Sequence, residues 1–574
     1  MKHRRIRRKW SALVPAAITA AALYWSIFGF AQTGPPALAS LFPSGALLYL
    51  EAKDFGALLA QWDSADEKKT WLESPSYQVF QRSQLLLRLS SAQGEFAAAA
   101  GVPADYGLAN SIAGGNSALA MYRIGDLEFL YVTRLPQARL IQTGLWKARA
   151  SYQTRNAGGA IYYVKTDKDS RRVAAFAAAG DLLILATKEE LIGGALELLA
   201  RSSRPAVIAE PWFTQAVQAA APGAHDLRMV YNLERLTRTA QFRRHWLQRN
   251  VAELAEFSAG LTDLEKTAGE IRERRVLLRA TRGADRTAGE AAAGQLVVLA
   301  PDDAALYRAW ATPSAEQATR TIEDKLFGGS ATAVRVSREA PTVAESMDAG
   351  AEENLETRID EPPLADDRGS TAFRALRERL AGARLEAMLE VGSTRVDQVF
   401  VRGESVIVLQ GRDAWDGAAM ERALSAAADG LWSSGGLGAG WRNGANGVRE
   451  LDGLGRLALA VDGRRLVLGT SAERVTAVLA RRDRAAVPGA MYAAEWRHAR
   501  ELPNFERIAG LIDFPQVAIQ SGLPGNNPGA REPLFFSENL VSLGRTLRRV
   551  QSAAISVHDS GSLLRESVVY RLAP

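Results

Sequence analysis

At 574 residues the chain is too long for one hydrophobic core, and 47% hydrophobic with 23% charged residues exclude a disordered protein. It holds no cysteine, which excludes disulfides, thiolate metal sites and lipid attachment through a cysteine. The net charge is +6, yet the six cations of residues 2–9 account for all of it; the balanced remainder lacks the basic footprint that nucleic-acid binding needs, so no nucleic acid is expected.

After the basic opening MKHRRIRRK no charged residue occurs from Trp10 to Leu50. Residues 11–30 are mostly apolar and long enough to cross the roughly 30 Å hydrocarbon core as a helix. The basic flank holds the N-terminus in the cytoplasm, so a single-pass inner-membrane anchor with an extracytoplasmic bulk is expected. The alternative is a cleaved secretory signal, with small residues for cleavage at Gly29 and Ala31 or at Ala37 and Ala39.

PSGALLYLEAKD, from Pro43, reads as turn, strand and helix start, and PDDAALYRAW, from Pro301, repeats it: Ala46, Leu48 and Tyr49 meet Ala304, Leu306 and Tyr307. MYRIGDLEFLYVTR, from Met121, and VFVRGESVIVLQGR, from Val399, read as hairpins turning at Gly125-Asp126 and Gly403-Glu404. A third pair starts at Ala174 and Arg456, with hairpin turns at Gly180-Asp181 and Gly463-Arg464. Thr187 with Glu190 and Thr470 with Glu473 then form capping boxes that open a helix. Three matches in one order predict an α+β fold: an N-terminal transmembrane helix followed by two tandem, duplicated lobes with largely antiparallel sheets and packed helices. The domains expected are residues 1–39 for flank, anchor and linker, 40–295 for the first lobe and 296–574 for the second. Residues 338–368, with ten acids, three arginines and three prolines, read as a flexible acidic insertion in the second lobe. Gly522 to Pro533 reads as a further loop.

The motifs that could carry chemistry have simpler structural readings. Gly430 to Gly447 holds seven glycines, but a helix runs into it and strands lead out, the reverse of a phosphate-binding loop. His3, His225, His245, His498 and His558 show no metal-ligand spacing, so no metal and no cofactor are expected. His558-Asp559-Ser560 alternates faces at a strand end and reads as a turn. FRRHW, from Phe242, and RERR, from Arg272, are read as basic faces of helices, and the helix from Ser74 puts Tyr77, Phe80 and Leu87 on one apolar side.

Together the anchor, PSGALLYLEAKD, SPSYQVFQRS and the close REPLFFSENL…VVYRL resemble a family of uncharacterised bacterial single-anchor envelope proteins carrying domains of unknown function. The resemblance implies location and architecture and brings no catalytic residues with it. The expected function is an interaction or scaffold module of the envelope, with an envelope protein as its partner. The alternative is an envelope hydrolase or small-ligand-binding protein with a site between the two lobes.

Overall fold

The computed structural model describes residues 37–573 except 66–67, 70–71, 74–76, 78–80, 82–83, 104–105, 221–222, 246–247, 328–372, 397–400, 433–439, 453–455 and 505–547. The chain divides into two compact units. Unit 1 takes residues up to 56 and 92–214, and unit 2 takes 57–91 and 215–574.

Unit 1 carries strands β1 (Leu48–Ala52), β2 (Ser117–Arg123), β3 (Glu128–Arg134), β4 (Gln153–Ala157), β5 (Ala160–Thr166), β6 (Val173–Ala179) and β7 (Leu182–Ala186). They pair antiparallel in the order β1-β2-β3-β7-β6-β5-β4. β7 reads LLILA and is buried at every residue, as expected of a strand covered on both faces. One face packs on Leu135, Leu145, Tyr152 and Phe176. Helix α1 (Glu189–Leu199) lies along β6 and β7 with Ile192, Ala195 and Leu196 buried. Phe42, Tyr49 and Phe213 stack edge to face at 5.3 Å each, fixing the entry to β1.

Unit 2 carries β8 (Leu227–Tyr231), β9 (Phe257–Lys266), β10 (Glu270–Arg279), β11 (Leu306–Ala311), β12 (Leu385–Val396), β13 (Val401–Gly411), β14 (Gly440–Asn443), β15 (Arg449–Asp452), β16 (Arg456–Asp462), β17 (Arg465–Gly469), β18 (Tyr492–Trp496), β19 (Val550–Asp559) and β20 (Leu563–Leu572). Their order is β8-β9-β10-β20-β19-β18-β11-β12-β13-β17-β16-β15-β14, again antiparallel throughout. Helices α2 (Glu290–Val297) and α6 (Ala472–Leu479) pack on one face over Leu389, Val408 and Val467. Helices α3 (Ala315–Leu326), α4 (Arg374–Gly382) and α5 (Gly417–Trp432) pack on the other over Met388, Leu409 and Leu466. Helix α2 is seated where only glycine fits: a Cβ on Gly489 would collide with the carbonyl oxygen of Glu290.

The fold class expected from the sequence is overturned. In place of two tandem α+β lobes, the described residues form an architecture dominated by antiparallel sheet, twenty strands with helices laid against them. RERR, expected on a helix of the first lobe, lies on β10, which pairs with β9 and is zipped from Glu270–Arg571 to Leu278–Leu563 along the C-terminal strand β20. Hairpins fix neighbours in sequence but carry no information about which distant strands meet. Residues 11–30 lie outside the described residues, and no described helix is long and apolar enough to cross a membrane. The acidic stretch 338–368 and the loop 522–533 also lie outside the described residues.

Three local expectations change as well. Gly403 and Glu404 sit inside β13, opposite Thr394 and Ser393, so the pairing runs past them to Val396 opposite Val401 and the expected turn is not there. Thr187 does not cap α1, whose N-cap is Lys188; its hydroxyl instead accepts the N–H of Phe129 on β3 at 2.9 Å. Thr470 likewise accepts the N–H of Ser405 on β13 at 3.1 Å, and the neighbouring Ser471 caps α6. A hydroxyl placed beside a neighbouring strand's N–H is taken by that strand before the helix can claim it.

Candidate functional site

RERR, read as a basic helix face, lies on β10, where strand alternation splits it: Arg272 and Arg274 point to one face, Glu273 and Arg275 to the other. The face carrying Glu273 and Arg275 can be followed across unit 2 by register. One row runs Glu273, Val568, Ile555, Ala494, Arg308 and Glu390. The next runs Arg275, Glu566, Val557, Tyr492 and Trp310, and the row on the other side runs Ile271, Tyr570, Ala553, Trp496 and Leu306. The centre of this face, on β18, β19 and β20, is therefore an apolar strip between two charged ends. Its side chains are half-buried apart from buried Ala494, and Tyr570 is 36% exposed.

At one end Glu390 is 3% exposed. The Arg308 guanidinium donates to its carboxylate at 3.0 Å, and the Lys325 ammonium, brought by α3, lies 3.4 Å away. The Arg308 and Lys325 side chains keep 34% and 38% exposure, so a buried carboxylate is bracketed by two accessible cations with one positive charge in excess. Arg308 lies over the Trp310 ring at 5.9 Å, and Trp310 contacts Tyr492 at 5.6 Å between ring centroids. Burial pushes the Tyr492 hydroxyl above its ordinary value, with Arg308 lowering it and Glu390 raising it.

The other end has the opposite balance. Arg275 donates to Glu273 at 2.6 Å and to Glu566 at 3.1 Å, leaving one negative charge in excess. Burial draws the guanidinium pKa down, and Glu566, Tyr231 and Glu273 more than restore it. Glu273 and Arg308 are four strands apart on one row, about 19 Å at the usual strand spacing.

The reverse face of the same strands is a ladder of ion pairs, Arg272 with Glu270 at 2.6 Å and Arg571 with Glu495 at 3.0 Å. Among the described residues the histidines do not converge; His3 lies outside them. His558 Nδ1 lies 3.3 Å from both carboxylate oxygens of Glu290, while Asp559 turns away to Arg279 at 2.7 Å and to the Gly561 N–H. Ser560 donates to the Leu563 carbonyl. His498 is buried against Trp496, and burial lowers its pKa. His225 is half-buried in the approach to β8. Helix Ala240–His245 carries the first part of FRRHW; Trp246 lies outside the described residues. Helix α5 runs into the glycine-rich segment and β14 leads out of it, with 433–439 outside the described residues. Among the described residues no group of three or more metal-ligating side chains comes together.

The described residues also line recesses, none of them including a residue of β18, β19 or β20. One of about 540 Å³ is lined by Thr237, Arg243 and Val251 and by Glu234 and Arg238, which pair with each other at 2.9 Å. Another, about 170 Å³, is bounded by Arg442, Glu450, Arg456 and Ser471, whose hydroxyl already accepts the Arg474 N–H.

Sequence reasoning missed the charged ends of the strip because their members are distant: Arg308 and Glu390 are 82 residues apart and Arg275 and Glu566 are 291 apart. The readable signal was strand alternation in EIRERRVLLR, where Glu270, Arg272 and Arg274 fall on one face and Glu273 and Arg275 on the other.

No protein-family model matches the chain, and no curated protein matches it. Among solved structures, crystal forms I and III of the Treponema protein TP0453 are similar at 12% identity, each with a TM-score of 0.24. The first match covers 44% of this chain and 82% of that one, the second 43% and 81%. That likeness is too slight to assign a fold or a function.

Proposed function

We propose that the chain is a membrane-anchored extracytoplasmic interaction module of the bacterial envelope, docking an envelope component on the β18–β20 face of unit 2. The anchor is residues 11–30 of the inner membrane, with the N-terminus cytoplasmic and the bulk of the chain outside. One observation carries the docking surface: the half-buried apolar strip between the Arg308–Glu390–Lys325 cluster and the Arg275–Glu273–Glu566 cluster. A strand face that packs as core reads apolar, and one that only meets water reads like the reverse face, with Arg and Glu alternating. This face does neither. Apolar side chains framed by opposed charges suit an occupant that comes and goes.

A photoreactive side chain placed at Tyr570 in membranes tests the docking surface, with the same group at Arg565, on the opposite face of β20, as its control. Capture of one defined component from Tyr570 and not from Arg565 is the expected result. Equal capture at both positions, or at neither, contradicts the reading. Protease added to spheroplasts tests topology separately: digestion of the bulk of the chain is expected, and full protection would sink the exported orientation.

A further inference from the structure

The strip has a polarity along its length that narrows the occupant. Its cationic end offers two kinds of donor. Arg308 spends one terminal nitrogen on Glu390, and its side chain keeps 34% exposure. Lys325 meets Glu390 with a single contact at 3.4 Å and keeps the rest of its ammonium for solvent or ligand. Next to these donors on the same row come Ala494, Ile555 and Val568, with Trp310 and Tyr492 flanking them on one side and Trp496 on the other. Beyond Val568 stands Glu273, whose end of the strip carries the excess negative charge.

We infer that this strip binds an anionic amphiphile, a long-chain fatty acid in its simplest form, with the carboxylate held by Arg308 and Lys325 and the acyl chain laid across β18, β19 and β20. The inference rests on reading this face as the binding surface and names its ligand class. The charges fix the direction. A carboxylate gains charge-assisted hydrogen bonds at Arg308 and Lys325 and is repelled by Glu273 and Glu566, so the head cannot lie at the β10 end. The chain exchanges water for apolar side chains, and the span of about 19 Å from Arg308 to Glu273 accommodates an extended tail rather than a compact ligand. A flat sheet face of this kind buries one side of the tail, so each added methylene tightens binding by no more than roughly fourfold.

The full-length protein, held in an amphipathic polymer in place of detergent, is titrated with cis-parinaric acid. Binding is read by energy transfer from tryptophan, for which Trp310 and Trp496 are placed beside the strip. The expected result is saturable binding of the acid, about tenfold weaker binding in Lys325→Met, recovery in Lys325→Arg, and weak binding of the matching alcohol that none of these changes affects. Octanoate should compete poorly and palmitate well. Lys325 is exposed enough for both variants to fold, which an unchanged unfolding midpoint verifies. Equal binding of acid and alcohol, or an unchanged affinity in Lys325→Met, overturns the inference. Absence of any amphiphile binding, with selective capture of a protein from Tyr570, overturns it while the docking surface stands; absence of both removes the two together.

Discussion

The ladder β1-β2-β3-β7-β6-β5-β4 of unit 1 and the ladder β11-β12-β13-β17-β16-β15-β14 of unit 2 follow one strand order, yet one cross-strand pair changes its chemistry between them in an instructive way. Tyr49 faces Ala120 in the first and Tyr307 faces Val391 in the second. One residue further on, Leu50 faces Leu119 in the first, whereas Arg308 faces Glu390 in the second. The threonine clasp is common to both, Thr187 on Phe129 and Thr470 on Ser405. A position that works as an apolar pair in one ladder does not need charge to form the other. The Arg308–Glu390 pair, with Lys325 added from α3, therefore answers to something besides folding, and the binding strip begins at that pair.

Mutations at matched positions separate the two ladders. The largest effect belongs to a feature of unit 2, the seat of α2; unit 1 enters β1 through the short turn Leu38–Leu41 instead. Gly489→Ala drives a methyl into the Glu290 backbone and should cost about 4 kcal/mol in chemical unfolding. A loss below about 1 kcal/mol would mean the seat yields easily. Glu390→Ala comes next. It strands two cations whose carboxylate is gone and should cost about 3 kcal/mol, the half-exposure of Arg308 and Lys325 keeping the figure from rising further.

Acid should reveal a smaller term. Burial raises the Asp559 carboxyl pKa, but the Arg279 hydrogen bond, the Gly561 N–H and the charges of Arg279 and Arg286 outweigh it, so the folded value is depressed. Its stabilisation is complete above the unfolded value of about 3.9 and disappears as pH falls through the lower folded value. Urea unfolding measured across that acid range should show a steep decline that flattens in Arg279→Gln; parallel profiles would contradict the pairing. The threonine clasps should be the most alike: Thr187→Val and Thr470→Val each lose a hydrogen bond to a strand N–H and should each cost about 1 kcal/mol. Unequal costs would show that the two ladders use the clasp differently.

What the sequence disclosed was local. Gly180-Asp181 and Gly463-Arg464 turn hairpins because a positive φ comes without strain at glycine, and both glycines adopt it. LLILA and LVLG announce strands buried on both faces. RERR misled because a run of arginines looks like a helix surface unless its alternation with Glu270 and Glu273 is counted. The β10–β20 pairing and the meeting of Arg308, Lys325 and Glu390 were not legible, since each joins segments whose separation only tertiary packing closes. Lys325 gave a faint sign as the last lysine in the chain, beyond which every cationic side chain other than histidine is arginine.

The most direct measurement separates folding from binding at the pair where the ladders differ. In Arg308→Leu/Glu390→Leu, unit 2 receives the apolar pair that unit 1 already carries, and Lys325 turns to solvent. This variant should unfold with a free energy within about 1 kcal/mol of the parent or above it and should lose selective capture from Tyr570. A variant that unfolds several kcal/mol more easily, or one that captures as the parent does, would contradict this expectation.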